Sequence, residues 1–218
     1  MVSFSSDVDI LKYEPILFGE LHLSGQVLAA GTGGAVSGTA FTASGADFIS
    51  AQVSAGGVIY LQSADGLVDG AYEIVSVDSA TQLSTSIVRS GSNDAAIAPP
   101  SATGLSYRVS TFGPQASDVG FRLTEHFGIK PGNPASVYDA DDILDTDVLK
   151  QASVFAVISS VYAMLASEGK DDNFWKKSHH YQKLFEKARE RCRLSIDVDS
   201  DGVSDVTRVG TSVRLVRD

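Results

Sequence analysis

The sequence predicts an α+β protein. It reads as a helical bundle carrying an inserted small antiparallel β-barrel or sandwich, with an extended strand at the C-terminus. Three observations support this. Two long helical patterns lie side by side over residues 145–196. A Gly-, Ser-, Ala- and Thr-rich stretch over 20–112 alternates short β-rich runs with turn residues, the spacing of a small all-β unit. A short helical pattern precedes that stretch, so the β unit interrupts the helices. The expected division is a discontinuous bundle (1–19 and 113–196), an inserted β domain (20–112), and an Asp-rich turn with a tail (197–218).

The opening segment SSDVDILKYEPILFG suits a short helix capped by Ser6 or Asp7, with Val8, Ile10, Leu11 and Ile16 inward. Pro15 ends or bends it. Strands are expected at 20–28, 37–42, 58–62, 70–77, 82–88 and 105–110. Gly31-Thr-Gly-Gly34 reads as a turn or flexible tip. It lacks the Lys-Ser/Thr of a P-loop, and no helix pattern follows it. A helix near 117–128 comes next, then an acidic connection with Asp139, Asp141 and Asp142.

In DTDVLKQASVFAVISSVYAMLAS, apolar residues cover nearly every side, which marks a buried helix. Its apolar run is broken by Ser159 and Ser160 and falls short of the roughly 20 residues a membrane span needs. DDNFWKKSHHYQKLFEKARERCRLSI is amphipathic. Phe174, Tyr181, Leu184, Phe185, Ala188, Cys192 and Ile196 share one face. Lys176, Lys177, Lys183 and Lys187 mark the other, a candidate interface. The last segment, SVRLVRD, alternates like one lone strand that must pair with this chain or a neighbour.

Composition narrows the function. The 218 residues are 43% hydrophobic and 20% charged, with net charge −10. Residues 1–169 hold 18 acidic and 6 basic residues, whereas 170–193 hold 8 basic and 4 acidic. A protein that grasps DNA shows a basic footprint; here one helix face is basic, either solvated or matched to an acidic protein surface. The single cysteine excludes an intramolecular disulfide and a cysteine metal cluster. MVSFSSDVDILKYEP has no basic segment followed by an apolar core, so no signal peptide is expected.

The most specific motif is Asp197-Val-Asp199-Ser-Asp201-Gly202-Val-Ser-Asp205. It places acids at positions one, three, five and nine of a calcium loop, with glycine at six. Position twelve is Arg208, where a bidentate Glu belongs. The alternative is an Asp-rich turn that stops the preceding helix. No cofactor is expected apart from that calcium ion. His179 and His180 are adjacent and point about 100° apart on a helix, so they cannot share a metal at i, i+4 spacing. Neither G-x-S-x-G nor H-E-x-x-H occurs, and no enzyme is expected.

The chain resembles the head–tail connector (adaptor) proteins of tailed bacteriophages. DVDILKYEPILF, SGTAFTASGADFISAQVSAGGVIYL, GAYEIVSVDSATQLSTSIV, the two helices and DVDSDGVSDVTRVGTSVRLVRD carry the resemblance. It implies a structural virion protein at the head–tail interface, made in the host bacterial cytoplasm. Such proteins form a ring, commonly of twelve copies, beneath the portal protein and above a neck or tail-terminator protein. DNA passes through the ring without sequence-specific binding, and no membrane is involved. By the same resemblance, Val213, Arg214, Leu215, Val216 and Arg217 would engage the portal or a neighbouring subunit. The alternatives are a tail-completion or other virion structural protein, or a calcium-binding interaction module.

Overall fold

A computed structural model describes residues 2–130, 133, 135–136, 138–167 and 172–210. The expected bundle with a small inserted barrel is overturned. The protein is a mixed α/β fold with a closed barrel of six antiparallel strands and, among the described residues, four α-helices. It divides into two compact units, Ser6–Phe112 and a second made of Met1–Ser5 with Gly113–Asp218. The barrel is therefore about half of the chain, not an appendage on a bundle.

The barrel unit opens with α1 (Asp7–Leu11). The Asp9 carboxylate accepts from the Ser6 N–H and hydroxyl, which fixes the helix start. This helix is the physical reason for the correction. It buries Val8, Ile10 and Leu11 and packs against the barrel, with the Val8 N–H donating to the Gly56 carbonyl at 2.9 Å. Pro15–Leu17 and Ser24–Gln26 form single 3-10 turns. Arg108 holds the first of these to the barrel wall. Its guanidinium donates to the Phe18 and Gly19 carbonyls and lies 5.1 Å from the Tyr60 ring centre.

The strands are β1 (Val27–Ser37), β2 (Ala40–Thr42), β3 (Val58–Gln62), β4 (Asp69–Ser79), β5 (Gln82–Ser86) and β6 (Ala102–Ser110). They close in the order β1-β2-β5-β4-β3-β6. Val27 pairs with Ser110, so the two ends of the β block are adjacent. The interior is filled by Phe41, Phe48, Ile59, Leu61, Ile74 and Leu83, all fully buried, with Tyr107 edge-on to Phe41 at 5.3 Å. The Gly-rich stretch is not a tip but the middle of β1. A Cβ on Gly34 would come within 2.7 Å of the Phe41 ring, and one on Gly31 within 2.7 Å of the Tyr107 hydroxyl. Glycine is needed there because the aromatic rings lie directly on the strand.

One buried ion pair anchors the loop between β5 and β6. Arg89 and Glu73 are 9% and 4% exposed. The guanidinium meets Glu73 Oε1 at 2.6 Å and also donates to the Ser92 and Asp94 carbonyls. The Arg89 N–H completes the set on Glu73 Oε2. Asp7 makes a second, partly buried polar contact, accepting the Phe112 N–H at 2.7 Å. Loss of water pushes its carboxyl up to about 6, against the opposing hydrogen bonds from Phe112 and Thr111.

The second unit holds α2 (Gly113–His126), α3 (Asp147–Ser167) and α4 (Asp172–Arg191). α3 is long and apolar enough by length and composition to cross a bilayer, but 67% of that stretch is buried within the protein. Two buried serines fix its pairing with α4. The Ser159 hydroxyl donates to the Ser178 carbonyl at 3.0 Å, and the Ser178 hydroxyl returns to the Ser159 carbonyl at 2.9 Å. Residues 2–5 contact two of the helices. The Ser5 and Ser153 hydroxyls bond at 2.8 Å, and a Cβ on Gly120 would overlap the Val2 carbonyl oxygen. α4 stops at Arg191 rather than running to Ile196. Arg193–Ile196 becomes β7, which pairs with β8 (Val206–Val209).

Two outcomes are expected. Arg89→Met strands the Glu73 carboxylate in the interior and should cost about 3–5 kcal/mol in urea unfolding. Asp7 has a folded pKa above its unfolded value of about 4, so the native state binds the extra proton. The contribution of Asp7 to stability therefore rises as pH falls from about 6 to about 4. Asp7→Asn should slow hydrogen exchange of buried barrel amides at pH 7, and should remove that pH dependence.

Candidate functional site

The Asp-rich segment is the tip of the β7–β8 hairpin. The chain reverses there through two left-handed residues, Ser200 and Gly202. Asp197 is buried, and its carboxylate accepts from the N–H groups of Ser200, Asp201 and Gly202. Burial alone would raise its pKa, but these amides together hold it below the ordinary value. Asp205 closes the loop by accepting the Val198 N–H at 2.8 Å. The carboxylates of Asp197, Asp199 and Asp205 offer oxygens within 4.8 Å of one another. Asp201 is not in that trio; its Oδ1 accepts the Val203 N–H. Arg208, at the position unfavourable to a cation, stacks 5.7 Å from the Tyr138 ring centre. The base of the hairpin is also tied to the acidic connection, since Asp197 N–H donates to the Asp142 carbonyl and Ile143 bridges Ile196.

The basic face of α4 is divided. Lys177, though exposed, is engaged, donating to the Tyr162 hydroxyl at 2.8 Å and lying 4.7 Å from its ring centre. Lys176 is exposed, with Asn173 Oδ1 at 3.4 Å. Lys183 and Lys187 face solvent, and no carboxylate pairs with either among the described residues. Trp175 is 48% exposed on the same helix. Cys192 is a core residue whose thiol, its pKa raised by burial, donates to the Val148 and Ala188 carbonyls. Val213, Arg214, Leu215, Val216 and Arg217 lie outside the described residues.

A feature not anticipated from sequence is a groove of 130 Å³ between α2, α3 and α4. Its floor is Val119, Leu123, Ala156 and Phe185, and its rim carries Arg122, His126 and Arg189. Arg122 pairs with Asp118 at 3.0 Å. Arg189 rests over the Phe185 ring at 5.1 Å, and its buried Nε has no hydrogen-bond partner. The ring nitrogen of His126 lies 3.0 Å from the Gly210 carbonyl oxygen, so the hairpin ends against this rim. The three rim residues sit on two helices at spacings that sequence alone cannot bring together.

Compared with known family models, curated proteins and solved structures, the chain matches none.

Proposed function

We propose that this chain is a structural subunit of a tailed-phage neck. It is a head–tail adaptor that assembles as a ring, of about twelve copies by the resemblance above, between the portal and the next neck or tail protein. The observation that carries this reading is the separation of charge. Residues 6–112 hold 10 acidic and 3 basic residues. α4 presents Lys183 and Lys187 to solvent without a carboxylate partner among the described residues. One chain with two surfaces of opposite sign suits head-to-tail contacts between copies, and such contacts close into rings when the rotation permits. An acidic wall repels phosphate, so DNA slides past rather than sticking. The protein then belongs to the virion, at the head–tail interface.

A second reading concerns calcium. The convergence of Asp197, Asp199 and Asp205, with Arg208 drawn off to Tyr138, favours a structural calcium ion at the hairpin tip. The ion would stiffen the hairpin rather than act in a reaction.

Two measurements follow. The purified full chain, alone or mixed with its portal protein, should form rings visible by mass photometry. Lys183→Glu with Lys187→Glu should lower ring yield while leaving the circular dichroism spectrum unchanged. A chain that stays monomeric with its portal defeats the adaptor reading. For calcium, calorimetry should show binding that Asp199→Ala abolishes; no heat up to about millimolar calcium, the weak end for such loops, removes the ion.

A further inference from the structure

Two features, one on each unit, have complementary chemistry. The groove between α2, α3 and α4 is far smaller than the roughly 300–1,000 Å³ of small-molecule sites, and its 130 Å³ suits a single side chain. Its floor is apolar. Its rim holds a guanidinium, Arg189, that has no carboxylate partner among the described residues and a buried Nε without a hydrogen bond. An occupant that satisfies both needs an apolar side chain beside a carboxylate.

The hairpin turn between β3 and β4 carries that pair. Leu67 is 83% exposed, the most exposed of the large hydrophobic side chains described. A lone exposed leucine is ordinary. This one is set apart by its flanks and its rigidity. Asp65 and Asp69 lie two residues to either side of it. The turn is held by the Ser63 N–H on the Val68 carbonyl at 2.7 Å, the Val68 N–H on the Ser63 hydroxyl at 2.9 Å, and the Gly66 N–H on the Ser63 carbonyl at 3.1 Å. Asp65 Oδ1 accepts the Ser63 hydroxyl and the Leu67 N–H. The Ser63 contact is the larger influence holding the Asp65 carboxyl below its usual range, so it stays ionised. Asp69 Oδ1 accepts the Tyr60 hydroxyl. The backbone carrying the leucine is thus held between two carboxylates, which lowers the ordering cost of docking.

We propose that the β3–β4 turn of one copy docks into the α2–α3–α4 groove of a second copy, with Leu67 on the apolar floor and the Asp65 carboxylate facing Arg189. This rests on the ring-forming reading and names one of its contacts. The contact is head-to-tail, because the plug lies in the barrel unit and the socket in the helical unit, so each copy offers both to different neighbours. Charge supports a second copy as the occupant: the turn is acidic, and the groove rim is basic apart from the Asp118 partner of Arg122.

The test uses the full chain. Leu67 makes no core contact to lose, so Leu67→Lys should fold normally, and it sets a like charge against Arg189. Sedimentation velocity should show self-association weakened at least about tenfold, the loss expected for a central anchor. In parallel, Leu67→Cys combined with Arg122→Cys, both at exposed positions, should cross-link copies on oxidation, whereas Ile49→Cys with Arg122→Cys should not. Self-association of Leu67→Lys equal to wild type, or cross-linking no greater than in the Ile49 control, overturns the contact. If wild type assembles in either case, the ring reading survives the failure. If wild type is monomeric with and without portal, both fall together.

Discussion

The helical unit depends on the burial of α3. A helix apolar on nearly every side has little face to leave in water, so most of it must be covered. α2 and α4 cover two sides, and residues 2–5 are tied to it by the Ser5–Ser153 bond. The covering must also satisfy the polar atoms that α3 carries into the interior, because an unpaired buried hydroxyl is costly. Ser159 and Ser178 solve this reciprocally and so set the register of α3 against α4. That register decides which side chains of α4 face outward. It turns Lys177 onto Tyr162, leaves Lys183 and Lys187 in solvent, and sets Phe185 and Arg189 along the groove.

The barrel answers a different constraint. Closure removes the exposed strand edges that an open sheet would offer to other chains. A six-stranded barrel leaves little room inside, so β1 takes glycine where Phe41 and Tyr107 lie against it. Its buried charge includes the pair Glu73 with Arg89. The β3–β4 turn, with its exposed Leu67, is held by the Leu67 N–H on Asp65 Oδ1 and the Val68 N–H on the Ser63 hydroxyl. The acidic excess of residues 6–112 and the exposed Lys183 and Lys187 of α4 are the charge separation on which the proposed contact between copies rests.

How much could be read beforehand depended on whether the signal was local. Val58–Gln62 was legible as a strand because its β-branched and aromatic run is bounded by turn residues. α3 was legible because burial of most of its surface leaves a nearly continuous apolar pattern. The membership of α1 was not legible: its apolar residues fit a helix bundle and a barrel wall equally, and only the Gly56 and Phe112 contacts decide. Gly31 and Gly34 looked like a turn because the rings that require them, Tyr107 on β6 and Phe41 on β2, are brought onto β1 only by strand pairing. Apolar Leu194 and Ile196 continue the helical period of α4, yet pairing with Val206–Val209 makes them a strand. At the Asp-rich loop, the acidic spacing was readable. The withdrawal of Arg208 onto Tyr138 depends on tertiary structure. The groove could not be foreseen at all, since it exists only where three helices meet.

The most direct test of the proposed adaptor role is a side-chain-resolution electron cryomicroscopy map of the neck of tailed-phage particles produced in cells that make this chain. A closed ring of this fold seated against the portal, with α4 of each copy facing a neighbouring surface of opposite charge, is the expected result. A neck in which no copy of the fold can be placed would contradict it.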